Sequence, residues 1–181
     1  MFNKDSIIGI ISRFKNLKSK ILYRINPIKE SRRLGVVIGE DCRLVGFVDW
    51  GSEPYLIKVG NHVSITSSKF VTHDGGLWVF REQEPEIDSF DIIAVGSNVF
   101  IGMDCIIMPG TKIGDNVIIG AGSIVKGAID SNSVYAGVPA KKIKNLDDYK
   151  KGISKNLTMT KKLSSKQKRQ FLEKKFRDEI C

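Results

Sequence analysis

Histidine, cysteine and proline are scarce in this chain: two, three and five among 181 residues. Cys42, Cys105 and Cys181 are far apart and odd in number, and none belongs to a paired motif. That argues against a disulfide framework and against a cysteine-based zinc site. Long apolar runs are also missing. The run "IIGII" near the start is too short to span a bilayer, and no small-residue cleavage site follows it. A reduced, cytoplasmic compartment is the default expectation. No Ser or Cys sits in a nucleophile signature such as GxSxG, so a covalent acyl-enzyme is not indicated.

Charge is present but unevenly placed. Residues 1–30 hold 7 Lys/Arg against 2 Asp/Glu, residues 31–140 hold 8 against 13, and residues 141–181 hold 14 against 5. The net +9 therefore resides in the two ends, and the middle is mildly acidic. A nucleic-acid-binding core would carry its own basic stripe, so no nucleic-acid partner is expected.

The middle of the chain repeats. From Val95 it reads VGSNVF, IGMDCI, IMPGTK, IGDNVI, IGAGSI, VKGAID, with an aliphatic residue opening every unit. A small or branched residue stands four later: Val99, Cys105, Thr111, Val117, Ser123 and Ile129. A fixed period of six predicts a solenoid, three short strands to a triangular coil, with openers pointing inward and small residues at the corners. Glycine follows the opener in four of the six units, where it is expected to permit the turn backbone. The same register is extended back through units opening at Val59, Ile65 and Val71.

An interruption separates the two phased blocks. "GGLWVFREQEPEIDSFDIIA" is too long for a turn and too rich in aromatic and charged residues for a spacer, which marks a functional loop. His73 precedes it and is assigned the third place of the unit opening at Val71, where side chains leave the prism. Histidine there suits a general base, since its ordinary titration range lies near neutrality. Asp74 either orients His73 or shapes the turn. Cys105 reads as a small buried hydrophobe. His62 also projects outward, as a surface or interface histidine in preference to a catalytic one.

The phased repeats, the "THDGG" with its extruded loop and the closing "GAGSIVKGAIDSNSVYAGVPAKKI" resemble the hexapeptide-repeat acyltransferase superfamily. The resemblance covers about residues 35–145 and is strongest to the sugar, capsule and O-antigen O-acetyltransferase branch. It implies an all-β solenoid, a left-handed parallel β-helix with an extruded loop flanked by N- and C-terminal helices. It further implies acetyl-CoA as donor, no metal, a homotrimer with active sites between subunits, and a sugar or glycan acceptor. His73 matches the catalytic base. Phe100 falls where a pocket-lining tryptophan is frequent, and Met103 and Ala121 fall where backbone groups meet the pantetheine arm. Lys126, Lys141 and Lys144 match positions reaching the nucleotide end of CoA, where their charge suits phosphates. Trp78, Phe80 and Arg81 either contact the acceptor or fix the loop to the next subunit. No counterpart of the family's second polar acceptor residue stands out. N-acetylation of an amino sugar nucleotide and a non-catalytic trimeric scaffold are the competing readings. A γ-type carbonic anhydrase shares the prism but needs three histidines for its zinc.

The expected domains are a helical cap at 1–30, the β-helix at 31–145 with its loop at about 74–94, and a basic helical tail at 146–181. The first 24 residues carry apolar side chains at 7, 10, 11, 14, 17, 21 and 22, a helical spacing with Asp5 or Ser6 as N-cap and Pro27 as its end. That helix either covers the open end of the prism or docks on anionic membrane, which would place the protein at the inner membrane face. A second basic helix is expected from Ser164 or Ser165.

Overall fold

The computed structural model describes residues 19–154 and 157–177. The helix start expected at Asp5 or Ser6 lies outside the described residues, as does Cys181. Two compact units divide at Asp148 and Tyr149.

The first unit is a left-handed parallel β-helix of about five coils. Face A stacks β1 (Val37–Ile38), β3 (Ile57–Val59), β6 (Ile93–Val95), β9 (Lys112–Ile113) and β12 (Ala128–Ile129). Face B stacks β2 (Arg43–Val45), β4 (Ser64–Thr66), β7 (Val99–Ile101), β10 (Val117–Ile119) and β13 (Ser133–Gly137), and an antiparallel β14 (Ala140–Asn145) closes it. Face C stacks β5 (Lys69–Phe70), β8 (Ile106–Ile107) and β11 (Ile124–Val125).

The period of six sets this winding because every unit spends one strand and one corner. Inward positions align from coil to coil: Ile65 pairs with Ile101, Ile101 with Ile119, and Ile119 with Tyr135. All three isoleucines are fully buried. Small polar residues at the corners stay buried because they return hydrogen bonds to carbonyls. Ser68 Oγ donates to Gly102 O at 2.8 Å, and Ser123 Oγ donates to Gly120 O at 2.6 Å.

Two details of the repeat differ from the sequence expectation. The unit opening at Ile65 has five residues, not six. Phe70, pairing with Ile107 and packed against Trp50 with ring centroids 4.8 Å apart, takes the next inward place that the sequence register gave to Val71. His73 is thus the fourth residue of its unit. The glycines after the openers do not supply the turn backbone either. They are needed because coils stack too closely for a side chain: a Cβ on Gly102 would lie 2.6 Å from Ala121 N. At the corner between faces A and B the left-handed backbone falls instead to the fourth residue: Asp41, His62, Asn98, Asn116 and Asn132 all have φ of 54–57°. Asparagine tolerates that region best among non-glycine residues. Here it also builds a side-chain ladder. Asn98 Nδ2 donates to Asn116 Oδ1 at 2.8 Å, and Asn116 Nδ2 donates to Asn132 Oδ1 at 2.9 Å.

At the N-terminal end, residues 19–25 are helical and a second helix spans Pro27–Leu34. Pro27 therefore opens a helix where the sequence reading had it close one. Asn26 is extended and caps it, its Oδ1 accepting from Lys29 N, and a proline at the first helical position loses no hydrogen bond. The boundary expected at residue 30 falls inside this helix. Ser31 is buried and joins it to the prism: its Oγ accepts from Trp50 Nε1 at 2.8 Å. In the second unit, Ser164 caps a helix at Ser165–Lys175 through a capping box with Gln167, as the sequence predicts.

Candidate functional site

The extruded loop leaves at the corner between faces C and A. Its neck is a short antiparallel pairing: Asp91 N donates to Thr72 O at 2.9 Å, Asp74 N donates to Ser89 O at 3.0 Å, and His73 bridges Phe90. Within the loop, Gly75–Phe80 turns as a 3-10 helix, and Asp74 caps it by accepting from Gly76 N at 2.9 Å. Asp74 thus shapes the turn. Trp78 and Phe80 are exposed, while Arg81 is held by Asp88 at 2.7 Å.

His73 sits at the base of this neck, its side chain 41% exposed, with Phe90 edge-on to the ring at a centroid distance of 6.4 Å. Its Nδ1 lies 3.2 Å from Glu53 Oε2, and the same oxygen accepts from Thr72 Oγ1 at 2.6 Å. Thr72's hydroxyl holds the Glu53 carboxyl below the usual carboxylate range, and the His73 ring adds to this against the opposing effect of burial. An ionised carboxylate can only accept, so the contact fixes the proton on Nδ1. In the neutral ring that leaves Nε2 as the hydrogen-bond acceptor.

Glu53, Thr72 and Phe90 were not singled out from the sequence. Glu53 lies in "GSEPYL", within the irregular first coils where no unit of six can be read. Counting back about one coil from His73 would have pointed to it.

The remaining candidates fall into two groups. Phe100 is on the outer surface of face B, lining a cavity of about 510 Å³ with Arg43, Ser64, Ile118 and Leu146. Met103 and Ala121 stack one above the other at the corner between faces B and C, where Gly122 N donates to Met103 O at 2.8 Å. Lys141 and Lys144 lie on β14. A bulge there skips Ile143, so Lys141 is opposite Ala136 and Lys144 opposite Val134, and both side chains share the outer side of face B. Lys142, opposite Tyr135, pairs with Asp130 instead. Lys126 is separated from these two: it is at the corner between faces C and A, the corner of His73. His62 belongs to neither group; its Nδ1 bonds Asn98 Oδ1 at 2.9 Å, which makes it a member of the corner ladder. Cys105 is buried, and burial pushes its thiol up. Among the described residues no cluster of His, Cys, Asp or Glu could hold a metal ion.

The bacterial transferase hexapeptide model (six repeats) matches residues 93–127. Protein CapG of Staphylococcus aureus is 49% identical over 168 residues, covering 91% of this chain and 97% of that protein. The chain belongs to the hexapeptide-repeat acyltransferase family. Galactoside O-acetyltransferase of Escherichia coli K12 is 40% identical over 98 residues, or 53% of this chain and 47% of that enzyme. This acyltransferase thus matches about half the length of that relative. A hexapeptide-repeat-containing acetyltransferase from Vibrio cholerae, solved with acetyl coenzyme A, superposes with a TM-score of 0.54 at 20% identity, covering 81% and 93% of the two chains. That likeness establishes the shared fold.

Proposed function

We propose that this acyltransferase moves an acetyl group from acetyl-CoA directly to a hydroxyl of a sugar, a component of a surface polysaccharide such as capsule or O-antigen. The observation that carries the reading is the oriented His73–Glu53 pair at the neck of a loop with exposed aromatics. A free alcohol is too weak a nucleophile for a thioester, so its proton must leave as the C–O bond forms. His73 Nε2 accepts that proton while Glu53 holds the Nδ1 side and stabilises the imidazolium. Collapse of the tetrahedral species breaks the C–S bond, and His73 returns the proton to the departing thiolate. Turn amides near Met103 and Ala121 would meet the oxyanion and the pantetheine arm. Lys126, Lys141 and Lys144 carry no ion pair among the described residues and suit the nucleotide phosphates.

The two groups lie on different corners of one prism. A face of about five residues at ~3.3 Å each separates corners by roughly 16 Å, too far for one imidazole to bridge. The proposed site is therefore completed by a second copy, whose face B meets the His73 corner of its neighbour, in a closed homotrimer. The test is a panel of sugar and amino-sugar acceptors with acetyl-CoA, products scored by mass. Acetylated hydroxyl products that vanish in His73→Ala are expected; thiol release unchanged in that variant would sink the mechanism, and amide products alone would move the protein to N-acetylation.

A further inference from the structure

The N-terminal end of the prism carries a second surface that the proposed chemistry does not use. The helical turn at residues 19–25 is fixed on the first coil through Tyr23, whose ring meets Phe47 edge-on at 5.3 Å and whose hydroxyl accepts from Val48 N at 3.0 Å. With Tyr23 buried, the helix must present its other sides outward. Ile21 and Ile25, one turn apart, are 51% and 75% exposed, and Phe47, on the Tyr23 side, is 59% exposed. Lys20 and Arg24, also one turn apart, line an open cavity of about 670 Å³ with Tyr23, Leu44 and Phe47.

Cations outnumber acids on this surface, where Asp49 is the one acid that shares a cavity with Lys20, Tyr23 and Phe47 among the described residues. Lys20 and Arg24 make no ion pair among the described residues. The nearby acids have other partners: Glu30 is held by Arg33 and Ser19, and Asp49 Oδ1 accepts from Gly51 N at 3.1 Å. In the sequence, the three-and-four spacing of Ile21 runs back through Leu17, Phe14, Ile10 and Ile7, with Lys18, Lys15 and Arg13 between.

We infer that this end of the protein docks on an anionic lipid surface. Exposed aliphatic side chains gain nothing from a nucleic-acid backbone, whereas a bilayer interface offers acyl chains to Ile21, Ile25 and Phe47 and phosphates to Lys20 and Arg24. Tyr23 ties this helix to the first coil, so the prism is carried with it to the lipid.

The experiment is flotation of the full chain with phosphatidylcholine vesicles, with and without phosphatidylglycerol, at low and high salt. Binding is expected only with the anionic lipid and is expected to weaken with salt. It should fall about tenfold or more in Lys20→Glu/Arg24→Glu and in Ile21→Glu/Ile25→Glu, with melting temperature and sedimentation coefficient unchanged. Ile21→Ser/Ile25→Ser is the milder companion, and it should also reduce binding. Equal behaviour of wild type and variants, or no binding of the wild type, would overturn the inference. So would a changed sedimentation coefficient in the isoleucine variants, which assigns the face to a second copy. Binding to a single-stranded RNA that needs Lys20 and Arg24 but neither isoleucine would overturn it as well. None of these readouts depends on acyl transfer.

Discussion

The carboxylate of Glu53 accepts from Thr72 at 2.6 Å and stands 3.2 Å from His73 Nδ1, so a residue 20 positions upstream selects which nitrogen of the neutral imidazole carries the proton. Replacing it separates orientation from basicity. Glu53→Gln should lower kcat by roughly ten- to a hundredfold with little change in acceptor KM, and Glu53→Asp should recover part of the loss. His73→Ala should cost more, about 10²–10⁴-fold. Steady-state kinetics with a fixed acceptor checks both.

The same pair gives a pH signature in stability. Glu53's folded-state value is depressed, so its contribution is present above the ordinary value of 4.5 and is lost as pH falls through the lower, folded value. Urea unfolding of wild type and Glu53→Gln should differ at pH 7 and converge in acid. Thr72→Val removes the largest depressing influence and should move the convergence to higher pH. Identical curves for Thr72→Val and wild type across acid pH would contradict this.

Subunit sharing can be tested by complementation. His73→Ala and Ala121→Tyr should each be inactive alone, one lacking the base and the other obstructing the opposite corner. If chains assort randomly into trimers, about a quarter of the interfaces in an equal mixture join an intact base to an intact corner. Refolding the two together should restore about that fraction of wild-type activity. No recovery would place both groups in one chain.

The corner ladder should separate backbone strain from hydrogen bonding. Asn116→Ala forfeits bonds to Asn98 and Asn132 and places alanine at φ 57°, a conformation costing roughly 1–2 kcal/mol by itself. Asn116→Gly forfeits only the bonds. The alanine variant should therefore melt below the glycine variant, the reverse of the order in a helix or strand.

Packing along the axis should show the usual core penalty. Ile101→Ala removes a fully buried side chain between Ile65 and Ile119 and should cost about 2–5 kcal/mol by chemical denaturation. Gly102→Ala should destabilise despite adding only a methyl, because its Cβ meets the backbone of the next coil.

The winding was legible from Val95 to Asp130 because one inward and one corner position recur in every six, and nothing else in the segment competes with that rhythm. It was misread at Ile65–Val71, where a five-residue unit hides behind aliphatics that fit either register. His73 stood out because histidine is rare here and this one adjoins the long interruption. Its partner did not, since Glu53 comes near His73 only after a full coil has closed. The common face of Lys141 and Lys144 was also hidden, because their spacing of three puts them on one side of a strand only when a bulge intervenes.

The neck of the extruded loop is closed by backbone hydrogen bonds. Since Thr72 O with Asp91 N and Asp74 N with Ser89 O complete it, no side chain between Gly75 and Asp88 is called on to keep the coils in phase. A change of length or sequence inside that segment therefore leaves the neck's hydrogen bonds, and with them the stacking of the coils, in place.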